Sequence, residues 1–482
     1  MAEGTLQPGD DYRWSDVRAL AVERFGIRRF RPGQRELIEA ALAGQDVLGV
    51  LPTGAGKSLC FQLPSLLLEG VVVVVSPLLA LMRDQSERLD ASAIEGARLD
   101  STVRPAARRE IEDELRAGGH DVVFVTPERL TAPDTLDLLR RRRVSLLVVD
   151  EAHCVSQWGR DFRPAYLELK AAIRALGRPP VMALTATAPP ELARDVLAQL
   201  GIPEARVVQG GIERPNLRFG VRRTVSRDEK ERTLLELLDG LDGPAIVYAA
   251  TTRRVTEVHD WLRARGVDAV RYHGQLPTRE RTAAQDRFMH GDARVVVATN
   301  AFGLGIDKAD VRLVAHWNLP ESVEAYYQEA GRAGRDGAPA YAVLLFRLED
   351  RGLRRAFIGG RHPRRHEAAA VLDALRRVDR EGRRATLAEL ARESGLGERR
   401  TAVIVGALEA LEAVSRRRGR LVAHGGLHGE ALERFYASFE ERHAADRERL
   451  ETMMAYGRTT GCRVQFLREY FGEAEGARCG AC

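Results

Sequence analysis

The sequence predicts an α/β protein in which two tandem parallel-sheet domains precede a helical region and a short cysteine-bearing end. Three observations predict it. Between residue 46 and about 187, short β-branched runs alternate with segments of helical length, as buried parallel strands and their crossovers do. A second series of the same kind occupies residues 245 to 346. Beyond Arg361 the strand runs stop and amphipathic helical patterns take over.

The elements follow in order. Residues 1–24 form an N-terminal segment. The first domain spans 25–209, with strands expected at Asp46–Leu51, Val71–Ser76, Asp121–Thr126, Ser145–Asp150 and Val181–Thr187. Glycines and a proline in Gly210-Gly-Ile-Glu-Arg-Pro-Asn-Leu217 mark an inter-domain linker, 210–217. The second domain, 218–350, has expected strands at Ala245–Ala250, Asp268–His273, Arg294–Thr299, Leu313–Asn318 and Tyr341–Phe346. In 362–424, helices over His366–Val378, Thr386–Ser394 and Glu398–Ala413, with Gly395 turning the chain between the last two, read as helix-turn-helix. The basic turn within Val414–Ala423 makes that unit winged-helix-like, its third helix a candidate for groove contact. A long charged helix, Gly429–Tyr456, opens a helical module, 427–482, that contains Cys462, Cys479 and Cys482.

With 482 residues, 44% hydrophobic and 30% charged, the chain has material for several full cores. No run of eighteen apolar residues occurs, and Met1–Asp10 is polar and acidic, so a soluble cytoplasmic protein without membrane partners is expected. Five unevenly spread cysteines fit a reduced compartment. The net charge of +5 points to nucleic acid only weakly; the arginine runs Arg140–Arg143 and Arg416–Arg420 point to it more directly.

Two segments of the first domain carry phosphate chemistry. Leu51-Pro-Thr-Gly-Ala-Gly-Lys-Ser58 lies between a strand and a helix. Its small residues, Thr53, Gly54 and Gly56 among them, let backbone N–H groups curl around phosphates; Lys57 adds charge and Ser58 offers a hydroxyl to Mg²⁺. Leu51 stands where the general pattern has glycine. In Leu146–His153 an apolar strand ends in adjacent carboxylates: Asp150 suits Mg²⁺, and Glu151 suits orienting or deprotonating a water. Together they predict nucleotide hydrolysis. In the second domain, Tyr327-Gln-Glu-Ala-Gly-Arg-Ala-Gly-Arg335 sets two arginines three apart among small residues, able to reach across a cleft to a transferring phosphoryl group.

Asp150-Glu-Ala-His153 with Thr185-Ala-Thr187 resembles superfamily 2 helicases. Phe30-Arg-Pro-Gly-Gln34, Ser76–Gln85, Thr126–Leu130 and Cys154–Pro164 narrow the resemblance to the RecQ DNA helicases, over Phe25–Phe346. The resemblance implies two RecA-like lobes, with Arg31 and Gln34 holding adenine, although Ile27 stands where some relatives have an aromatic ring. It implies an aromatic-rich loop with Trp158, Phe162 and Arg163 on single-stranded DNA; Ser76, and Arg417 and Arg418 of the basic turn, are further candidate nucleic-acid contacts. Arg332 and Arg335 become the finger region, Arg335 the first choice; Gln328 meets nucleotide or water, and Gly305 and Asp307 couple DNA to ATP.

Cys462, Cys479 and Cys482 resemble the RecQ zinc module, which has four cysteines. A shortened chain, or a His, water or terminal carboxylate as fourth ligand, would account for the three seen here. In familiar relatives the winged helix follows the zinc module, whereas here it comes first.

The expected function is ATP-dependent, 3′ to 5′ translocation on single-stranded DNA with duplex unwinding, in recombination and repair. Expected partners are single-stranded and partly duplex DNA and a single-strand-binding protein, with the chain a monomer near the nucleoid. The alternatives are a superfamily 2 ATPase acting on duplex DNA or RNA, and a DNA-binding regulator with a degenerate motor.

Overall fold

Five consecutive valines explain the first sheet. Val71, Val73 and Val75 fall in one core cluster and Val72 and Val74 in another, because side chains alternate across a strand. A strand buried on both faces needs helices on both sides, which parallel crossovers supply. The same split recurs at Val123 and Val125 against Val122 and Phe124, and at Leu147 and Val149 against Leu146 and Val148.

The computed structural model describes residues 7–77, 79–89, 92–156, 164–303, 308–361, 363–411, 413–417, 419–424, 429–473, 479–480 and 482. The first sheet contains β1 (Val47–Val50), β2 (Val71–Val75), β3 (Gly96–Leu99), β4 (Val122–Val125), β5 (Val144–Val149), β6 (Val181–Thr185) and β7 (Arg206–Gln209), ordered β3-β4-β2-β5-β6-β1-β7. The second contains β8 (Leu217–Arg223), β9 (Ala245–Tyr248), β10 (Ala269–Tyr272), β11 (Val295–Ala298), β12 (Leu313–His316) and β13 (Ala340–Phe346), ordered β10-β11-β9-β12-β13-β8. All their pairings are parallel.

Strands β3, β7 and β8 add to those expected from the sequence. All three are edge strands. Arg206–Gln209 buries one residue of four, so no apolar run marks it. Leu217, placed at the end of the linker, opens β8.

The chain divides into two compact units: residues up to Arg347 together with Tyr456–Cys482, and Leu348–Ala455. The first unit therefore contains both sheets and the cysteines. In the second, helices Arg365–Arg380, Leu387–Ser394 and Glu398–Ala410 and an antiparallel hairpin, β14 (Val414–Arg417) with β15 (Arg420–Ala423), lie close to the expected positions. Thr386 and Glu389 form a capping box at the start of Leu387–Ser394, and Gly395 ends that helix at φ 72°. Phe435 and Phe439, from the long helix Gly429–Arg458, complete the core of this unit with Val371, Leu375, Leu390 and Ile404. Helix Asp350–Arg361 had no counterpart in the sequence reading, its three glycines weakening the helical signal.

Candidate active site

Parallel sheets gather ligands at the carboxyl ends of their strands. There β1 runs into the Leu51–Ser58 loop, and β5 into Asp150 and Glu151. Between the lobes lies a cleft of about 490 Å³. Thr53, Lys57, Ser58, Asp150 and Glu151 line it from the first lobe, and Gln328, Arg332 and Arg335 from the second.

The loop is held by its neighbours. Gly54 and Gly56 have φ of 84° and 77°, open to glycine and strained for other residues. Gln34 is buried, and its amide nitrogen donates to the carbonyls of Ala55 and Gly56 at 3.0 Å, while its oxygen accepts the Arg31 backbone N–H at 2.8 Å. Arg31 donates to the Gly54 carbonyl. In this conformation the Gln34 amide is thus engaged by the phosphate loop rather than presented to a base. Lys57 Nζ lies 3.4 Å from the Leu51 carbonyl, and Ser58 Oγ accepts from Gln85 at 3.1 Å.

Burial pushes the Asp150 carboxyl up to about 6, the adjacent Glu151 adding to the rise and Lys57 opposing it. A carboxylate this poorly solvated, lining the same cleft as the Ser58 hydroxyl, suits a cation. Glu151 sits in the left-handed region at φ 49° and ψ 46°, a strain of about 1–3 kcal/mol. Its buried Oε2 takes no hydrogen bond among the described residues and lies 3.4 Å from His153 Nδ1. His153 also meets Thr185 Oγ1 at 3.1 Å, joining the carboxylate pair to the Thr185–Thr187 segment.

The two arginines of the second lobe differ. Arg332 is buried and donates to the Gly303 carbonyl. Arg335 is half-buried, with its Cγ close enough to Gly54 that a Cβ added there would lie 3.3 Å away. Arg335 therefore overlies the phosphate loop, and Arg332 braces the second lobe.

Ser76 departs from expectation: it is fully buried just after β2, its hydroxyl takes no hydrogen bond among the described residues, and it has no surface open to nucleic acid in this arrangement. The third helix of the winged-helix-like segment, Glu398–Ala410, was a candidate for groove contact. Its Arg400 turns inward to Glu367 at 3.2 Å and to the Gly360 carbonyl at 2.7 Å, and Val403 is exposed. Trp158, Phe162, Arg163, Gly305, Asp307, Arg418 and the side chain of Arg417 lie outside the described residues.

The linker supplies residues that the sequence reading took as a mere connection. Arg214 donates to the Thr53 carbonyl of the phosphate loop at 3.2 Å, and to the carbonyls of Gly331, Ala333 and Gly334 at 3.4, 3.0 and 2.7 Å. Burial pulls its guanidinium below the ordinary value. Asn216 adds bonds to the Gly334 and Ala338 carbonyls. The available signal was an arginine and an asparagine flanking the linker proline.

Cys462, Cys479 and Cys482 converge, with sulfurs 3.4, 3.7 and 3.3 Å apart. A Zn–S bond of about 2.3 Å gives a tetrahedral edge of about 3.8 Å, so the three thiols fit three corners of a zinc site. Burial raises the Cys462 thiol, but hydrogen bonding with the backbone at Cys479 and Gln465 and with the Cys479 and Cys482 sulfurs brings it down to about 7.

Comparison with known proteins agrees with this geometry. Residues 31–196 match the DEAD/DEAH box helicase family, 229–337 the helicase conserved C-terminal domain, and 429–482 the RecQ zinc-binding family. A relative named probable ATP-dependent DNA helicase RecS, from Bacillus subtilis, is 35% identical over 93% of this chain and 87% of its own. So broad an alignment runs through most of the unit Leu348–Ala455. ATP-dependent DNA helicase RecQ of the same organism is 42% identical over 69% of this chain, which spans 56% of that relative. Among solved structures, Mycobacterium smegmatis helicase Lhr bound to ssDNA and AMP-PNP superposes with a TM-score of 0.57 at 21% identity, over 87% of this chain and 61% of that one, a likeness of fold. The paired lobes, the carboxylates facing the phosphate loop and the cysteine triad thus have one common source: the chain belongs to the RecQ family of superfamily 2 helicases.

Proposed function

We propose that the chain hydrolyses ATP between its two lobes and uses the cycle to move 3′ to 5′ along single-stranded DNA and open duplexes, serving recombination and repair. The supporting observation is the cleft itself, which places Lys57, Asp150 and Glu151 across from Gln328 and Arg335. Lys57 and the loop N–H groups hold the β- and γ-phosphates, and Glu151 orients the attacking water. Arg335 reaches the charge that develops on the γ-phosphoryl group. Ser58 and Asp150 would hold Mg²⁺, which supplies countercharge to the phosphates. Cys462, Cys479 and Cys482 would hold zinc, organising a stretch too small for its own core. RecS and RecQ, the relatives above, are named as DNA helicases, and this supports DNA as the track. No described helix is long and apolar enough to cross a membrane. A monomer working in the cytoplasm, with a single-strand-binding protein as partner, is the reading adopted.

Steady-state ATP hydrolysis tests it, with Mg²⁺ and either no nucleic acid, single-stranded DNA, duplex DNA or single-stranded RNA. Stimulation by single-stranded DNA is expected. Equal or greater stimulation by RNA or duplex would replace the proposed track.

A further inference from the structure

The last helix of the cysteine module, Arg463–Tyr470, and the residues just after it grip the linker between the two lobes. Glu473 Oε1 accepts the backbone N–H of Ile212 at 2.6 Å. The Tyr327 hydroxyl donates to the carbonyl of the same Ile212 at 2.5 Å, and Phe471 packs against the Tyr327 ring at 5.4 Å. Both backbone groups of one linker residue are thus held by side chains from two other elements. Arg468 pairs with Glu213, the next residue along. Tyr470 bonds Glu324 of the second lobe at 2.6 Å, and Gly472 lies so close to Pro190 of the first lobe that an added Cβ would come within 2.7 Å of it. The module therefore touches both lobes and the segment joining them.

Arg214 stands two residues beyond Ile212, and its guanidinium ties the phosphate loop to the arginine segment through four carbonyls. Two residues span at most about 7 Å, too short to absorb a shift at Ile212 before it reaches Arg214. A displacement of about 1 Å in a catalytic arrangement costs about 10²-fold in rate.

We propose that Glu473 is a positioning residue for ATP hydrolysis: by fixing Ile212 it sets Arg214, and through Arg214 the register of Arg335 over the phosphate loop. This role rests on the ATP-hydrolysis reading above. The cysteine module then acts on the motor cycle through its contact with the linker, in addition to being folded by its metal.

The test uses the full chain with single-stranded DNA, following kcat and KM for ATP together with bound zinc and Tm. Glu473→Ala is expected to lower kcat about 10-fold with KM within about 2-fold, since the register matters to the transition state more than to binding. Glu473→Gln, which keeps an oxygen for the Ile212 N–H, should stay within about 3-fold of wild type. Combining Glu473→Ala with Arg214→Ala should cost no more than Arg214→Ala alone, because the two act in series. Tyr327→Phe, which removes one hydroxyl, should lower kcat in the same manner and carries the test if Glu473→Ala does not fold. Multiplying losses in the double variant, an unchanged kcat in Glu473→Ala, or a kcat loss that only tracks lost zinc and Tm would overturn the proposal. A wild-type chain without ATP hydrolysis would overturn the functional reading and this role with it.

Discussion

The cleft and the helix-turn-helix unit employ arginine in opposite ways. In the cleft, Arg31, Arg214 and Arg332 donate to backbone carbonyls and form no ion pair among the described residues. In Leu348–Ala455, Arg351 pairs with Glu451, Arg365 with Glu433, Arg383 with Glu381 and Glu393, Arg400 with Glu367, and Arg449 with Asp446. A carbonyl satisfies a guanidinium's donors but leaves its charge in place, whereas a carboxylate cancels the charge. These guanidinium charges in and beside the cleft are therefore not cancelled by a paired carboxylate among the described residues, while Asp150 and Glu151 line the same space. The second unit has twenty-two arginines against eighteen carboxylates, and seven of those arginines form ion pairs among the described residues. Counting cations in the sequence measures the total and says nothing of what remains available.

Substitutions in the cleft should produce the largest effects. Glu151→Gln should lower ATP hydrolysis by about 10³-fold while leaving nucleotide binding in place, since a general base is worth about 10²–10⁴. Binding of a fluorescent ATP analogue, measured beside turnover, separates the two; a variant still turning over at a tenth of the wild-type rate would remove Glu151 from the chemistry. Next come the two arginines. Arg335→Ala should lower kcat by about 10²–10³ with Tm unchanged, as expected for a donor aimed at developing charge. Arg332→Ala should instead lose about 1–3 kcal/mol of folding stability, because the buried Gly303 carbonyl loses its partner. Thermal melts together with kcat for both variants decide the assignment, and the reverse pattern would exchange their roles.

What could be read from the sequence divides along a similar line. The central strands were legible because burial on both faces forces unbroken apolar runs such as Val71–Val75, and the phosphate loop and carboxylate pair because their chemistry needs particular residues at strand ends. Edge strands such as Arg206–Gln209 were not, since one buried residue in four leaves no pattern. Arg214 and Glu473 were also missed. Their partners are backbone groups far away in the chain, at Gly334 and Ile212, and a backbone group leaves no mark in a sequence. Spacing alone does not separate Arg335 from Arg332, and both line the cleft; the buried Gly303 contact of Arg332 is the difference on which the variant pair above is built.

The wing gives a smaller effect that bears directly on the comparison. If Arg417 and Arg418 keep their charge for DNA phosphates, replacing both by Ala should reduce the slope of log K against log salt by about 1.8 on duplex DNA, each contact contributing about 0.9. ATP hydrolysis without DNA should not change. An unaltered slope would mean that the hairpin arginines make no phosphate contact and that this unit serves another surface.

The smallest effect tests whether the second unit is held by its core and caps rather than by its surface ion pairs. Thr386 accepts the Glu389 N–H at 3.3 Å and Glu389 returns a bond to the Thr386 N–H at 2.8 Å, fixing the start of helix Leu387–Ser394. Thr386→Ala should cost about 1 kcal/mol in unfolding of this unit. Leu390, fully buried in the same helix, should cost about 2–5 kcal/mol as Leu390→Ala. Arg365→Ala, at an exposed pair with Glu433, should leave the denaturant midpoint essentially where it was, because such pairs are screened by solvent. A midpoint that falls as far for Arg365→Ala as for Thr386→Ala would show that the paired arginines support the fold. Their neutralisation would then be structural in origin, and the contrast with the cleft would reflect what each region must stabilise rather than what each must bind.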